Sequence, residues 1–194
     1  ERPPKSGFTL VFVGRLQPVK NLALLLNAFR IALDSAPDLR LWIVGDGSER
    51  AALEQLAGKL KITEQITFWG QQMDVAPFFA AADAFIMSSK SEGLPLSLLQ
   101  ALSLGLPVIV PDVGGMPEVV RQTESGYVVP VNAPEAMANA ILKMTTGSAE
   151  RRSFSDHAKA GFFSKFDLEI MTDAYMNLYR NTPRALKKSS ILTD

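Results

Sequence analysis

TLVFVGRLQPVKNLALLLNAFRIALDSA, Thr9 to Ala36, is the stretch that decides the fold. Thr9 to Val13 is a β-branched and aromatic run ending at Gly14, which reads as a buried strand. Beyond the loop Gly14 to Lys20, apolar residues recur at Leu22, Leu25, Leu26, Phe29 and Leu33, so Asn21 to Ala36 reads as a helix. A strand with no polar face followed by an amphipathic helix argues for a parallel sheet covered on both sides.

The same alternation continues downstream. Strands are expected at Leu39 to Val44, Ile66 to Trp69, Ala84 to Met87, Pro107 to Val110 and Tyr127 to Val129. Ser48 is read as the N-cap of a helix running to about Leu60, and Val75 to Ala81 as a short helix. Pro95 to Leu104 follows with Pro95 at its first position and Gly105 as its stop. Met116 to Arg121 is a further short helix, and Asn132 is placed as the cap of one over Ala133 to Met144. Helical stretches over Ala149 to Phe163 and Leu168 to Asn181 close the chain. The expectation is one α/β domain over residues 8–181, a doubly wound, Rossmann-like parallel sheet of about six strands with helices on both faces. A loose start (1–7) and a flexible tail (182–194, with Lys187 and Lys188) flank it.

Composition narrows the chemistry. The 194 residues carry 20 Lys+Arg and 20 Asp+Glu, a net charge of zero, whereas a non-specific nucleic-acid binder is usually basic. No nucleic-acid partner is expected. There is no cysteine, which excludes disulfides, thiol nucleophiles and thiolate metal sites, and the one histidine, His157, is too little for a His-based zinc site and is not expected to serve a conventional Ser-His-Asp triad. His157 is read as a structural helix residue, Trp42 and Trp69 as core. No apolar run reaches the ~18 residues of a membrane span, and no signal peptide opens the chain. The start Glu-Arg-Pro-Pro reads as a piece cut from a longer protein, soluble and cytoplasmic.

In such a sheet, ligands bind beyond the carboxyl ends of the strands, where the strand order reverses. With the order 3-2-1-4-5-6, that crevice lies between Gly14-Arg15-Leu16-Gln17-Pro18-Val19-Lys20 and Ser88-Ser89-Lys90-Ser91-Glu92-Gly93-Leu94-Pro95. Two cations from one loop then meet free N–H groups and a helix N-terminus from the other, an arrangement suited to a diphosphate. Glu92 would repel a phosphate but suits sugar hydroxyls as an acceptor, and Gln100 lies eight positions on, inside the helix. Taken singly, a charge on a loop is ordinarily just solvated. Gly45-Asp46-Gly47 is read as a turn without dinucleotide spacing, and Gly114-Gly115 either offers amides to an anion or makes a turn.

Together these segments resemble the C-terminal, donor-binding domain of a GT-B glycosyltransferase of family 4, the glycosyl transferases group 1. The likeness is carried by VGRLQPVKN (Val13 to Asn21), VGDGSER (Val44 to Arg50) and FWGQQMDV (Phe68 to Val75). It continues in AADAFIMSSKSEGLPLSLLQALSLGLPVIV (Ala81 to Val110), GGMPEVV (Gly114 to Val120) and SGYVVPVNAPEAMANAI (Ser125 to Ile141). By that resemblance Arg15 and Lys20, on the loop opened by Gly14, bind the donor diphosphate and stabilise the leaving nucleoside diphosphate. Glu92 begins the family's pair of glutamates seven residues apart and holds donor-sugar hydroxyls. Backbone groups at Gly93, Leu94 and Leu96 contact sugar or phosphate, and Trp69 to Gln72, with Gly70 and Gln71, lies against the base. Gln100 stands where the family's second glutamate reads the ribose, which implies weakened donor affinity.

The resemblance implies sugar transfer from a UDP- or GDP-linked donor with retention of anomeric configuration, without a metal or other cofactor. Polysaccharide, glycolipid or other glycoconjugate biosynthesis is its usual, bacterial setting. The resemblance further implies an acceptor-binding N-terminal domain outside this chain, so this chain alone is expected to be inactive. Peripheral contact with the inner face of the membrane would come through that missing half. Asp167 to Arg180 matches the helix that crosses back to it, so Ile170, Met171 and Tyr175 are expected to be partly exposed. The other readings are a non-catalytic nucleotide-sugar binding module and a GT-B-like sugar-nucleotide epimerase or phosphorylase.

Overall fold

A computed structural model of the chain describes residue 3 and residues 6–181. The expected tail therefore lies outside the described residues. Six strands form one sheet in the order β3-β2-β1-β4-β5-β6, every neighbouring pair parallel. They are β1 (Thr9–Val13), β2 (Arg40–Val44), β3 (Ile66–Gly70), β4 (Ala84–Ile86), β5 (Val108–Pro111) and β6 (Gly126–Val129). The helices are α1 (Leu22–Leu33), α2 (Arg50–Lys59), α3 (Ala76–Ala81), α4 (Leu96–Ser103), α5 (Met116–Thr123), α6 (Pro134–Thr146), α7 (Ser148–Lys165) and α8 (Leu168–Asn181).

The continuous apolar character of the strands has a direct cause. Side chains alternate across a sheet, and here each face has its own core. Leu10, Phe12, Leu41 and Ile43 point into a core closed by α1, α2 and α6. Val11, Val13, Trp42 and Val44 point into a second, closed by α3, α4, α5 and the inner side of α7. A polar residue at any of these positions would be stranded without water on either side.

Helix starts depart from the sequence reading at α1, α2, α4 and α6. Asn21 is left-handed (φ 52°), so α1 begins one residue later, and Asn21 Nδ2 donates to Asn132 Oδ1 at 3.2 Å. Asn132, itself left-handed (φ 57°), is thus committed to that cross-link and does not cap α6, whose flanking residue is Ala133. Ser48 does not cap α2 either: Gly47 packs so closely on the Leu16 carbonyl that the turn completes at Glu49. Pro95 stays extended, and its carbonyl accepts from Leu98 N–H at 3.1 Å, leaving Leu96 as the first residue of α4. His157 lies on the outer side of α7, its Nδ1 3.6 Å from Glu124 Oε2.

At the β6 edge, Tyr127 packs edge-to-face on Phe154, and its hydroxyl donates to Glu150 Oε2 at 2.6 Å. Burial, followed by the bond to Glu150 and its charge, raises the phenol above its ordinary 10.0. The folded chain then holds a proton where the unfolded chain has lost it, so this stability is present below pH ~10 and is lost as pH rises further. Thermal melts from about pH 9 to about 11 should fall more steeply for the parent than for Tyr127→Phe. Equal slopes would contradict the assignment.

Helix α8 contributes no buried residue. Leu168 is 76% exposed and Tyr175 59%, and Ile170 and Met171 are each 40% exposed. Amides of α8 are expected to exchange with deuterium well ahead of those of β1, β2 and β4, because few packed side chains hold the helix closed. Matching protection along its whole length would contradict this.

Candidate functional site

The crevice forms where the sheet order places β1 beside β4. On the β1 side, Gly14 N–H donates to the Val44 carbonyl at 3.0 Å and Leu16 N–H to the Asp46 carbonyl at 2.9 Å. The loop after β1 is therefore fastened to the loop after β2. Glycine is required at Gly45, where φ is 131° and a Cβ would fall on the Gly14 carbonyl. These loops and the end of β3 enclose an open cleft of about 480 Å³, lined by Gly14, Arg15, Gly45, Asp46, Gly47, Gln71, Gln72 and Val75 among others. Gly70 supports it from beneath, its carbonyl accepting from Gly45 N–H at 2.7 Å.

On the β4 side, three contacts bind the loop Ser88 to Glu92 to the 3-10 turn Pro18–Lys20. Lys90 N–H donates to the Val19 carbonyl at 2.8 Å, and Ser88 Oγ to the Lys20 carbonyl at 2.8 Å. The third is an ion pair of Lys20 Nζ with Glu92 Oε1, between side chains 16% and 13% exposed. Ser89 Oγ donates to the same Oε1 at 2.8 Å. Arg15, exposed at the rim, has no ion-pair partner among the described residues.

The sequence-derived residues thus fall into two groups beyond the carboxyl ends of the strands. Arg15, Gly14 and Gln71 lie on the cleft wall, whereas Lys20 and Glu92 form a pair between the β1 and β4 loops. Gly93 follows, its carbonyl accepting from Gly115 N–H at 2.8 Å. The Gly115 amide of the double glycine is thus used within the protein, and Gly114 (φ 62°) packs on the Glu92 carbonyl. Leu94 and Leu96 are exposed at the start of α4, 42% and 75% respectively. Gln100 is exposed one turn further along α4, its side-chain amide without a hydrogen bond among the described residues.

Trp69 takes a different position from Gln71 and Gln72. Its ring packs against Trp42 and Phe78, with centroids 6.2 and 5.1 Å away, in the apolar layer beneath the cleft. Gln72 Nε2 donates to the Trp69 carbonyl at 2.8 Å and so holds the strip to the wall. Sequence reading assigned no role to Ser88 or Ser89, and treated Gly45-Asp46-Gly47 only as a turn. The available signal for the glycines was their position after a strand that neighbours β1.

Chemically, the site offers an unpaired guanidinium, an ammonium already beside a carboxylate, and a helix N-terminus. The first and third favour an anion, while the carboxylate favours hydroxyl donors.

The family model for glycosyl transferases group 1 matches residues 1–161. Lipopolysaccharide core biosynthesis glycosyltransferase LpsE of Rhizobium meliloti is 31% identical over 180 residues, covering 93% of this chain and 52% of that protein. N-acetyl-alpha-D-glucosaminyl L-malate synthase of Bacillus anthracis is 28% identical over 187 residues, covering 96% and 49% respectively. The chain spans about half the length of these curated relatives. Among solved structures, Anabaena Alr3699/HepE in complex with UDP superposes with a TM-score of 0.82 at 23% identity, over 90% of this chain and 49% of that one. The same protein has been solved with UDP-glucose. A match across most of the sequence and the sheet order of a GT-B Rossmann-like half agree: the chain belongs to the glycosyl transferases group 1 family.

Proposed function

We propose that this chain binds the donor of a retaining glycosyltransferase, a nucleotide-diphosphate sugar, with the diphosphate at Arg15 and Lys20. The observation that carries the reading is the Lys20–Glu92 pair joining the β1 and β4 loops, with Arg15 exposed on the same β1 loop and lining the cleft. Cations alone would indicate any anion. A carboxylate placed among them adds an acceptor for hydroxyls, so the ligand presents phosphate and polyol together.

When the bond between the anomeric carbon and the diphosphate breaks, negative charge grows on the departing phosphate. Arg15, Lys20 and the N-terminus of α4 are placed to neutralise it, the task a divalent metal performs in other enzymes. Gly14, Gly70 and Gln71 belong to the nucleotide end, Gly93, Leu94 and Leu96 to the sugar end. A UDP-linked donor is favoured by the UDP held in HepE, and the lipopolysaccharide assignment of LpsE favours glycoconjugate assembly.

Acceptor binding is assigned to a further domain, and the exposed apolar residues of α8 suit packing against it. The complete protein, given a labelled nucleotide sugar and acceptor, should yield a product whose anomeric NMR coupling matches the donor's. An inverted anomer would overturn the retaining assignment.

Gln100 keeps an acceptor oxygen but lacks the charge that would strengthen bonds from ribose hydroxyls. Gln100→Glu is accordingly expected to tighten UDP binding severalfold in calorimetric titration. Unchanged affinity would remove Gln100 from the ribose contact.

A further inference from the structure

We propose that Ser89 is a positioning residue: its hydroxyl and the Lys20 ammonium together hold Glu92 Oε1, leaving Oε2 to accept from a hydroxyl of the donor sugar. The proposal rests on the reading of the crevice as a nucleotide-diphosphate-sugar site. Ser89 is fully buried, three residues before Glu92, and its Oγ lies 2.8 Å from Oε1. A hydroxyl has one proton to donate, and this one is committed to the carboxylate. The Lys20 ammonium reaches the same oxygen, whereas Oε2 accepts no hydrogen bond among the described residues.

The neighbouring Ser88, 2% exposed, spends its own proton on the Lys20 carbonyl. Two consecutive buried hydroxyls at the end of β4 thus fix both members of the pair, one through its main chain and one through its carboxylate. Lys20 keeps further N–H groups for phosphate while it holds Glu92, since an ammonium has three. The ion pair therefore need not break when a donor binds. Glutamate has several rotatable bonds to order, and ordering them before the ligand arrives leaves less freedom to lose on binding.

The test uses Ser89→Ala, Glu92→Ala and the double variant of this chain, each titrated with UDP and UDP-glucose and each melted without ligand. Ser89→Ala should weaken UDP-glucose binding about tenfold and leave UDP within about twofold, the loss of a bond to a charged group being felt only where Glu92 meets the sugar. In the Glu92→Ala background the same change should add less than about twofold, because both substitutions act through one carboxylate. No difference between the two ligands, or an undiminished loss in that background, overturns the proposal. Should neither ligand bind the parent chain, the donor-site reading fails, and the melts decide the positioning claim alone. Ser89→Ala must then lower Tm in the parent and not in Glu92→Ala, and an equal drop in both overturns it.

Discussion

Lys20→Ala is expected to reduce nucleotide binding by this chain, and sugar transfer by the complete protein, by more than about tenfold. The interaction proposed to be lost is a charge-assisted contact with the diphosphate, worth roughly 1.5–3 kcal/mol, and each 1.4 kcal/mol corresponds to about a factor of ten. A second consequence arises inside the protein. Glu92 is 13% exposed and would keep only Ser89 as a partner. The stability cost should fall between the ~1 kcal/mol of an exposed pair and the ~3–5 kcal/mol of breaking a buried one. The two effects can be separated. Adding Glu92→Ala removes the unpaired carboxylate, so the Lys20→Ala/Glu92→Ala double variant should recover most of the lost melting temperature without recovering nucleotide affinity. If binding returned along with stability, Lys20 would be a structural residue. Wild-type turnover in Lys20→Ala would remove it from the reaction.

Gly45→Ala is the second large effect. At φ 131° any side chain is strained, and the added Cβ would collide with the Gly14 carbonyl. The cost is expected to be about 2–4 kcal/mol, or roughly 5–15 °C in a chain of this size. The collision also pushes on the residue before Arg15, so nucleotide binding should weaken even at temperatures where the variant is folded. Gly58→Ala is the internal control. Gly58 lies in α2, nothing stands within 4 Å of a Cβ built there, and the change should stabilise by about 0.5–1 kcal/mol. Melts of the two variants should move in opposite directions. A Gly45→Ala protein as stable as its parent would show that the β1 and β2 loops are not in the close contact described.

The inner strands β1, β2, β4 and β5 were legible because they are buried on both faces and so carry no polar periodicity to confuse with a helix. β1 and β2, with side chains alternating between the two cores, are the clearest cases. The crevice followed from strand order together with the loops that leave β1 and β4. What could not be read was the outcome of competition between local and distant partners. Asn132 has the composition of a helix cap, yet its oxygen is taken by Asn21, 111 residues away. Ser48 failed as a cap because Gly47 must pass close to Leu16, a contact between two loops that neither segment announces alone.

The candidate site divides in the same way. Sequence placed Lys20 and Glu92 on facing loops with separate tasks; the structure adds that they touch. Ser88 bonds across 68 residues to the Lys20 carbonyl, and no local pattern marks it. The Ser89 bond to Glu92, only three residues apart, had a local spacing that could have been noticed. Trp69 illustrates a mixed case. A core role and a place on the base-binding strip were both read from the sequence; its ring lies in the core, while Gln71 and Gln72 line the cleft.

The central claim is that Arg15 and Lys20 bind a nucleoside diphosphate. Its most direct test is calorimetric titration of the folded chain with UDP, GDP and ADP, repeated on the Arg15→Ala/Lys20→Ala double variant. One nucleotide should bind the parent and be lost from the variant, with both proteins giving the same far-UV circular dichroism. Binding of equal strength to parent and variant would contradict the account, as would silence from all three nucleotides.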